Sequence, residues 1–279
     1  MKISTICRVL EVSRSGYYDW LARQSRPPSP RAAQAMVLVA AIREIHAKFR
    51  YYGSPRVHAE LLARNHQVGR HRAARLMRQH GISAQRGKVK YKPRAAPPAR
   101  RPDLVDLVDR DFHADVPNAV WFTDITQIRT GQGWLYAAVI LDAYNREVIS
   151  WATAATDNPR TAMKAFTDAI AIRRPPPGCL IHSDRGYQFT SHDWSATATK
   201  HHLRISIGAR KSCYDNAAME SWFASFKTEE IYPKGQPFTR PEAARRLFEY
   251  IWSYNTERKH STLGYVSPRD YANASSTCP

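Results

Sequence analysis

The chain has 279 residues, 43% of them hydrophobic, enough for one large domain or a catalytic domain with a smaller attachment, and too apolar for a disordered tail. Its 42 Lys/Arg against 24 Asp/Glu give a formal charge of +18, which points to a polyanionic partner. All of that excess lies at one end: residues 1–102 carry 22 basic and 4 acidic side chains, whereas residues 103–279 carry 20 of each.

The stretch from Ile3 to about Leu21 reads as a short helix, a Ser-rich turn at Ser13, Ser15 and Gly16, and a second helical piece, a partial helix-turn-helix within residues 1–25. Arg26-Pro-Pro-Ser-Pro30 cannot continue a helix and reads as a linker. From Arg31 to Phe49 the residues are strong helix formers, with Met36, Val39, Ala40, Ile42 and Ile45 expected on one buried stripe. Tyr51-Tyr-Gly-Ser-Pro55 ends that helix. Pro55 suits the first turn of a second, running to about Arg64, and a turn at Asn65 to Gly69 precedes a third from Arg70 to about His80, stopped by Gly81. Residues 31–85 thus follow the helix-turn-helix plan, whose last helix enters the major groove, making Arg70, Arg72, Arg75 and Arg78 candidate DNA contacts. For any single arginine a solvated basic face is the alternative. Arg86 to Pro102, rich in Pro and Arg, reads as an extended linker that tracks phosphates, within a linker region of residues 86–110.

After Asp103 the pattern becomes mixed α/β. Strands are expected at Val120–Ile128, Gly133–Asp142 and Arg146–Ala154 as an antiparallel meander, then a helix from Pro159 to about Ile172. A short apolar strand at Cys179–Ser183, a helix at about Ser191–Lys200 and a strand at Leu203–Ile207 follow. Helices at about Asn216–Ile231 and Thr239–Tyr254 are the last clear elements. Cys7, Cys179, Cys213 and Cys278 lie far apart without a C-x-x-C pair, so neither a zinc site nor a disulfide framework is indicated. There is no apolar run of membrane-spanning length and no signal-peptide pattern, so a cytoplasmic protein without membrane partners is expected.

Asp124 interrupts an apolar strand and Asp184 directly follows one, positions where an unpaired charge is costly. A structural salt bridge or a turn-capping role is the alternative for either residue alone. On the helix that carries Glu220, Met219, Phe223 and Phe226 form the buried stripe, while Asn216, Glu220, Ala224 and Lys227 share a neighbouring face. Three carboxylates without His or Cys suit hard divalent cations, and a pair of such ions can stabilise the attacking and leaving oxygens of in-line phosphoryl transfer. Lys227 lies seven residues beyond Glu220, roughly 10 Å along a helix at 1.5 Å per residue, too far for a tight ion pair. A DNA phosphate is its expected partner, with an exposed surface lysine as the alternative.

Three segments carry a specific resemblance: Trp121-Phe-Thr-Asp124-Ile-Thr126, His182-Ser-Asp184-Arg-Gly-Tyr-Gln188 and Tyr214-Asp-Asn-Ala-Ala-Met-Glu220-Ser-Trp-Phe223. They resemble the catalytic motifs of the IS-three family of insertion-sequence transposases, in the retroviral-integrase superfamily, and the 35 residues between Asp184 and Glu220 match its D,D(35)E spacing. Trp134-Leu-Tyr-Ala-Ala-Val-Ile-Leu-Asp142 and Tyr254-Asn-Thr-Glu-Arg-Lys-His260-Ser-Thr-Leu-Gly-Tyr265 extend the likeness over nearly the whole chain, which is similar to the product of the family's second reading frame. The resemblance implies a ribonuclease-H-like, five-stranded mixed sheet flanked by helices in residues 111–279, with a C-terminal helical extension and a preceding all-α helix-turn-helix region. It implies Asp124, Asp184 and Glu220 as catalytic and metal-binding residues, with two Mg2+ ions per site and Mn2+ as an alternative. It also implies water-driven cleavage at the element's ends and attack by the freed 3′-hydroxyl on another phosphodiester.

Implied partners are the terminal inverted repeats, target DNA, further copies of the chain on DNA, and the upstream-frame protein as fusion or partner. Nucleoid association follows from the same likeness. Asn216 and Gln188 would support the site or contact DNA, with packing and turn roles equally open; His182 is expected to be structural. Two departures stand out: Arg210-Lys-Ser-Cys213 where an Arg-Gly-Asn-like turn is expected, and Phe189 in place of a tyrosine. No leucine-zipper heptads occur. The rival readings are a DNA-binding regulator with an inactive core and a ribonuclease-H-like nuclease.

Overall fold

A computed structural model of the chain describes residues 3–25, 27, 29–87, 105–208 and 216–276. The departure at residues 210–213, Cys278 and most of the basic linker lie outside them. Helix α1 (Ile3–Val9) and α2 (Arg14–Ser25) form the opening hairpin, with the Ser13 hydroxyl accepting the Gly16 N–H at 3.0 Å. Ser15 and Gly16 therefore belong to the first turn of α2 rather than to the loop.

Helix α3 (Pro30–Lys48) starts where Ser29 caps the Ala32 N–H and Pro30 supplies a preset first turn. It packs on α4 (Ser54–Ala63) and α5 (Arg70–Gln79) through Leu38, Ile42, Ile45, Val57, Leu61, Ala73 and Leu76. The expected stripe is corrected at two positions. Val39, Ile42 and Ile45 are buried, but Met36 is 65% exposed and Ala40 is exposed too. At 19 residues, α3 outruns its 10-residue partners, which leaves Met36 beyond the buried stretch, whereas Ala40, between buried Val39 and Ala41, lies on the outer face of the helix.

The core sheet contains β1 (Val120–Thr130), β2 (Gly133–Asp142), β3 (Val148–Ala154), β4 (Leu180–Ser183) and β5 (Arg204–Ile207) in the order β3-β2-β1-β4-β5. Strands β1, β2 and β3 pair antiparallel, whereas β4 joins β1 and β5 in parallel, giving the expected mixed sheet. Strand β3 begins two residues later than expected because Arg146, at φ 60°, completes the preceding turn.

Period-2 alternation on β1 sorts the two faces. Trp121 and Ile125 pack under α6 (Pro159–Arg173) and α7 (His192–Lys200), where Phe166 stacks on Trp194. Phe122 and Ile128 point the other way, against α8 (Ala217–Phe226) and α10 (Arg240–Thr256), through Met219, Trp222, Phe226, Leu247 and Tyr250. Phe189 meets Trp194 edge-on and is 1% exposed, a site where a tyrosine would have to bury its hydroxyl.

The long helix expected to reach Ile231 changes character at Lys227: residues Lys227–Ile231 form a π-helical turn, followed by the short α9 (Tyr232–Lys234). A final helix, α11 (Pro268–Ser276), is an element beyond those the sequence pattern marked clearly. Among the described residues no helix is long and apolar enough to cross a membrane. Cys7 and Cys179 are free and buried, and burial pushes the Cys179 thiol up to about 12.

Candidate active site

The parallel register of β1 and β4 builds the site. Val120, Trp121 and Phe122 face Leu180, Ile181 and His182, so continuing the same register brings Asp184, just past the end of β4, alongside Asp124. Neighbouring strands lie about 4.8 Å apart, close enough for two carboxylates to repel strongly. Two residues on from Phe122, Asp124 shares the sheet face that meets α8. Its Oδ1 accepts the Ile125 N–H at 2.7 Å.

Asp124 is held well above the usual carboxylate range, chiefly by burial and next by the charge of Asp184; Glu220 adds to the shift and Lys227 opposes it. Part of the Asp124 residue still reaches solvent. Asp184 is exposed, and its Oδ1 accepts the Gly186 N–H at 2.8 Å. Gly186 leaves room for both groups: a Cβ would lie 2.9 Å from that oxygen and 2.7 Å from Gln188 Oε1, so one of the two side chains would have to shift. Glu220 is exposed in the first turn of α8, and burial raises its pKa.

Asn216 positions that helix. It is 8% exposed at the start of α8, and its Nδ2 donates to the Thr123 carbonyl at 3.1 Å, pinning the helix to β1 beside Asp124. Its Oδ1 and the Thr123 hydroxyl are buried without hydrogen-bond partners among the described residues. Gln188 is equally buried and donates to Asp157 Oδ1 at 2.7 Å. Both amides are thus engaged inside the protein. His182 is fully buried and bonded to the Ser206 hydroxyl at 2.8 Å, tying β4 to β5.

Lys227 is half-buried at the end of α8; burial lowers its pKa and the Asp124 charge opposes that shift. Too far along the helix from Glu220 for a tight ion pair, Lys227 instead acts on Asp124.

The donor set of Asp124, Asp184 and Glu220 has the chemistry a hard divalent cation requires, and the cation would relieve the like-charge repulsion at Asp124. Among the described residues, no three His, Cys, Asp or Glu side chains converge closely enough to ligate one ion together. Asp124 is the acid that feels the charges of both others.

On α5, Arg70, Arg75 and Arg78 are exposed, as buried Ala73, Leu76 and Met77 take the opposite face. Arg72 is half-buried, and its Nη1 donates to Gln34 Oε1 at 2.9 Å on α3. Arg86, read from the sequence as the start of a phosphate-tracking linker, is paired with Glu229 at 3.1 Å. Gly186 and Thr123, which bond to Asp184 and Asn216, are neighbours of the candidate site that composition and spacing did not single out.

The comparisons with known proteins agree with this architecture. Residues 33–90 match the HTH-like domain, and residues 114–213 and 201–268 match two models of the integrase core domain. These features define a DNA recombinase of the integrase class, with a helical DNA-binding region ahead of a mixed α/β core. The chain belongs to the IS3 family of insertion-sequence transposases and is a DNA transposase, an enzyme of DNA cleavage and strand transfer. It is 37% identical over 277 residues to Transposase InsF for insertion sequence IS3A of Escherichia coli (strain K12), covering 97% of this chain and 94% of that one. It is 36% identical over 267 residues to the Insertion element IS600 uncharacterized 31 kDa protein of Shigella sonnei, covering 94% and 96%. A chain of the cryoEM structure of the simian T-cell lymphotropic virus intasome in complex with PP2A regulatory subunit B56 gamma shares the fold, at a TM-score of 0.51 and 15% identity, over 85% of this chain and 76% of that one.

Proposed function

We propose that Asp124, Asp184 and Glu220 are the catalytic carboxylates and hold two divalent ions, Mg2+ with Mn2+ as an alternative. The observation that carries this reading is the β1–β4 register, which sets Asp184 beside an Asp124 already charge-strained by its neighbours. When bound, such ions activate the attacking oxygen and stabilise the leaving one. The chain's own residues supply the rest. The Ile125 and Gly186 N–H groups orient the two aspartates, and the Asn216 bond to Thr123 sets the helix that carries Glu220. Asn216 and Gln188 act as supports in this reading, and Lys227 offers its ammonium to a phosphate at the cleft.

The reaction has two stages. Water attacks a phosphorus at the element's end and releases a 3′-hydroxyl. That oxygen then attacks a second phosphodiester, forming one P–O bond as another breaks. Arg70, Arg75 and Arg78 are proposed to grip DNA directly, with Arg72 holding α5 in place. The DNA partners are the terminal inverted repeats and the target. Several copies assemble on them, and the upstream-frame protein acts as fusion or partner at the nucleoid. The proposed division of labour is residues 1–25 and 31–85 for recognition, 86–110 as linker, and 111–279 for chemistry.

The test is metal-dependent cleavage and joining of element-end DNA. Glu220→Gln is expected to lower both by at least about a hundredfold, the scale of losing electrostatic stabilisation of the transition state, while end binding persists. Unchanged cleavage and joining would refute the assignment.

A further inference from the structure

The buried carboxylate of Glu229 lies two residues beyond Lys227 and serves none of the chemistry above. Its side chain is 0% exposed. Arg258 grips it through Nε at 2.8 Å and Nη2 at 2.7 Å, the Tyr250 hydroxyl donates to it at 3.0 Å, and Arg86 reaches it from the linker at 3.1 Å. The Arg258 guanidinium also points at the His260 ring at 3.3 Å. Since a guanidinium can only donate, that ring is neutral, in keeping with a His260 pKa lowered by burial and by Arg258.

The backbone beside Glu229 is also open to the linker. In the π-turn the Tyr232 N–H bonds to the Lys227 carbonyl, five residues back. The next carbonyl in that pattern, Thr228, would need an N–H from residue 233, which is a proline and has none. Gly87 fills the gap, donating its N–H to the Thr228 oxygen at 2.9 Å. Only glycine fits: a Cβ there would stand 2.2 Å from the Tyr232 Cβ.

A second seam joins the helical unit to the same region. The Lys259 N–H donates to the Tyr52 hydroxyl at 2.7 Å, and Arg56 Nε donates to the Lys259 carbonyl at 2.9 Å. Gln85, just before Arg86, bonds back to the Arg50 carbonyl at 2.8 Å. The loop after α3, the start of the linker and the segment at residues 258–260 therefore close around one acid.

We propose that this junction is a positioning device for end cleavage. Glu229, held by Arg258, is the fixed point on which Arg86 and Gly87 seat the DNA-binding unit, so that an element end held by α5 reaches Lys227 and Glu220 at a set register. Arg86, Gly87 and Arg258 are positioning residues that touch neither DNA nor metal. The idea rests on the assignment of Glu220 and Lys227 made above.

Gly87→Ala in the full chain tests it, because the change lies outside both α5 and the carboxylates. End-directed cleavage is expected to lose about tenfold to a hundredfold in kcat, the cost of misplacing a reacting group by an ångström. End-DNA affinity and metal-dependent nicking of non-specific plasmid should stay within about twofold, since each uses only one of the two units. Arg86→Met should also lower end cleavage, Arg86→Lys should partly restore it, and the salt dependence of end binding should not change in either. Retained end cleavage in Gly87→Ala and Arg86→Met overturns the proposal. So does a parallel fall of nicking, binding and thermal midpoint, which would make the junction mere structural support. A salt slope reduced by about one in Arg86→Met would make Arg86 a phosphate contact and overturn it too. Glu220→Gln separates the two ideas: if that variant still nicks plasmid and cleaves ends, the site assignment has failed, whatever Gly87→Ala does.

Discussion

Glu229→Ala is the perturbation whose cost the structure defines best. The carboxylate accepts two bonds from Arg258, one from Arg86 and one from Tyr250, and the Arg258 side chain is 4% exposed. Truncation strands that guanidinium against the Tyr51 and Tyr254 rings, 5.9 and 5.6 Å away, and a neutral His260. Breaking a buried ion pair from one side costs about 3–5 kcal/mol, a large part of the roughly 5–15 kcal/mol that holds a typical protein folded. Glu229→Gln should still be harmful, because its amide N–H2 would face donors on Arg258 and Arg86. The double variant Glu229→Leu/Arg258→Met, which removes both charges, should recover most of the loss, since apolar replacement of a buried pair is often neutral. Urea unfolding followed by Trp fluorescence measures all of these on one scale. A Glu229→Ala cost below about 1 kcal/mol, or a double variant as unstable as the sum of its singles, would refute the buried-pair reasoning.

Other outcomes follow from the same geometry. Asp124 has its pKa raised in the folded state, so its contribution to stability is full below the unfolded value near 3.9 and is lost as pH rises through the raised one. Asp124→Asn should therefore leave metal-free stability unchanged near pH 4 and raise it by about 0.5–2 kcal/mol at pH 8 while abolishing cleavage; thermal melts in chelator that show a loss at pH 8 would contradict this. Mg2+ should raise the melting temperature of the unaltered protein but not of Asp124→Asn, and an equal rise in both would place the ion elsewhere. Arg75→Ala and Arg78→Ala should each reduce the salt slope of end binding by about one, whereas Arg72→Ala, which loses the bond to Gln34, should change it little; equal slopes for all three would remove the distinction. Arg174 closes α6 at φ 46°, so Arg174→Gly should stabilise by about 0.5–1 kcal/mol in thermal melts, and a loss would show that its side chain contributes contacts.

Much of this protein was legible in one dimension because the relevant signals are local. The apolar runs marked β1 and β2, and Pro55 stood in the first turn of α4 as expected, whereas Ser29 and Pro30, read as linker, cap and open α3. Asp124 and Asp184 drew notice from their places within and just after an apolar strand, where an unpaired charge is costly, and Glu220 from the quoted motifs that carried the family. What periodicity could not supply is where a partner helix stops and which way α3 is turned towards it, and so Met36 and Ala40 were expected inside and lie outside. Nor could it supply pairings between distant residues: Asn216 with Thr123 across 93 positions, or Arg86 with Glu229 across 143. Pro233 stands in plain view as a helix breaker, yet its effect depends on which outside N–H reaches the freed Thr228 carbonyl, and that donor is Gly87. Propensity and pattern act within about a dozen residues and so are written in the chain. Register, charge neighbours and the satisfaction of buried polar groups arise only when strands and helices far apart in sequence pack together, and there the tertiary structure decided them.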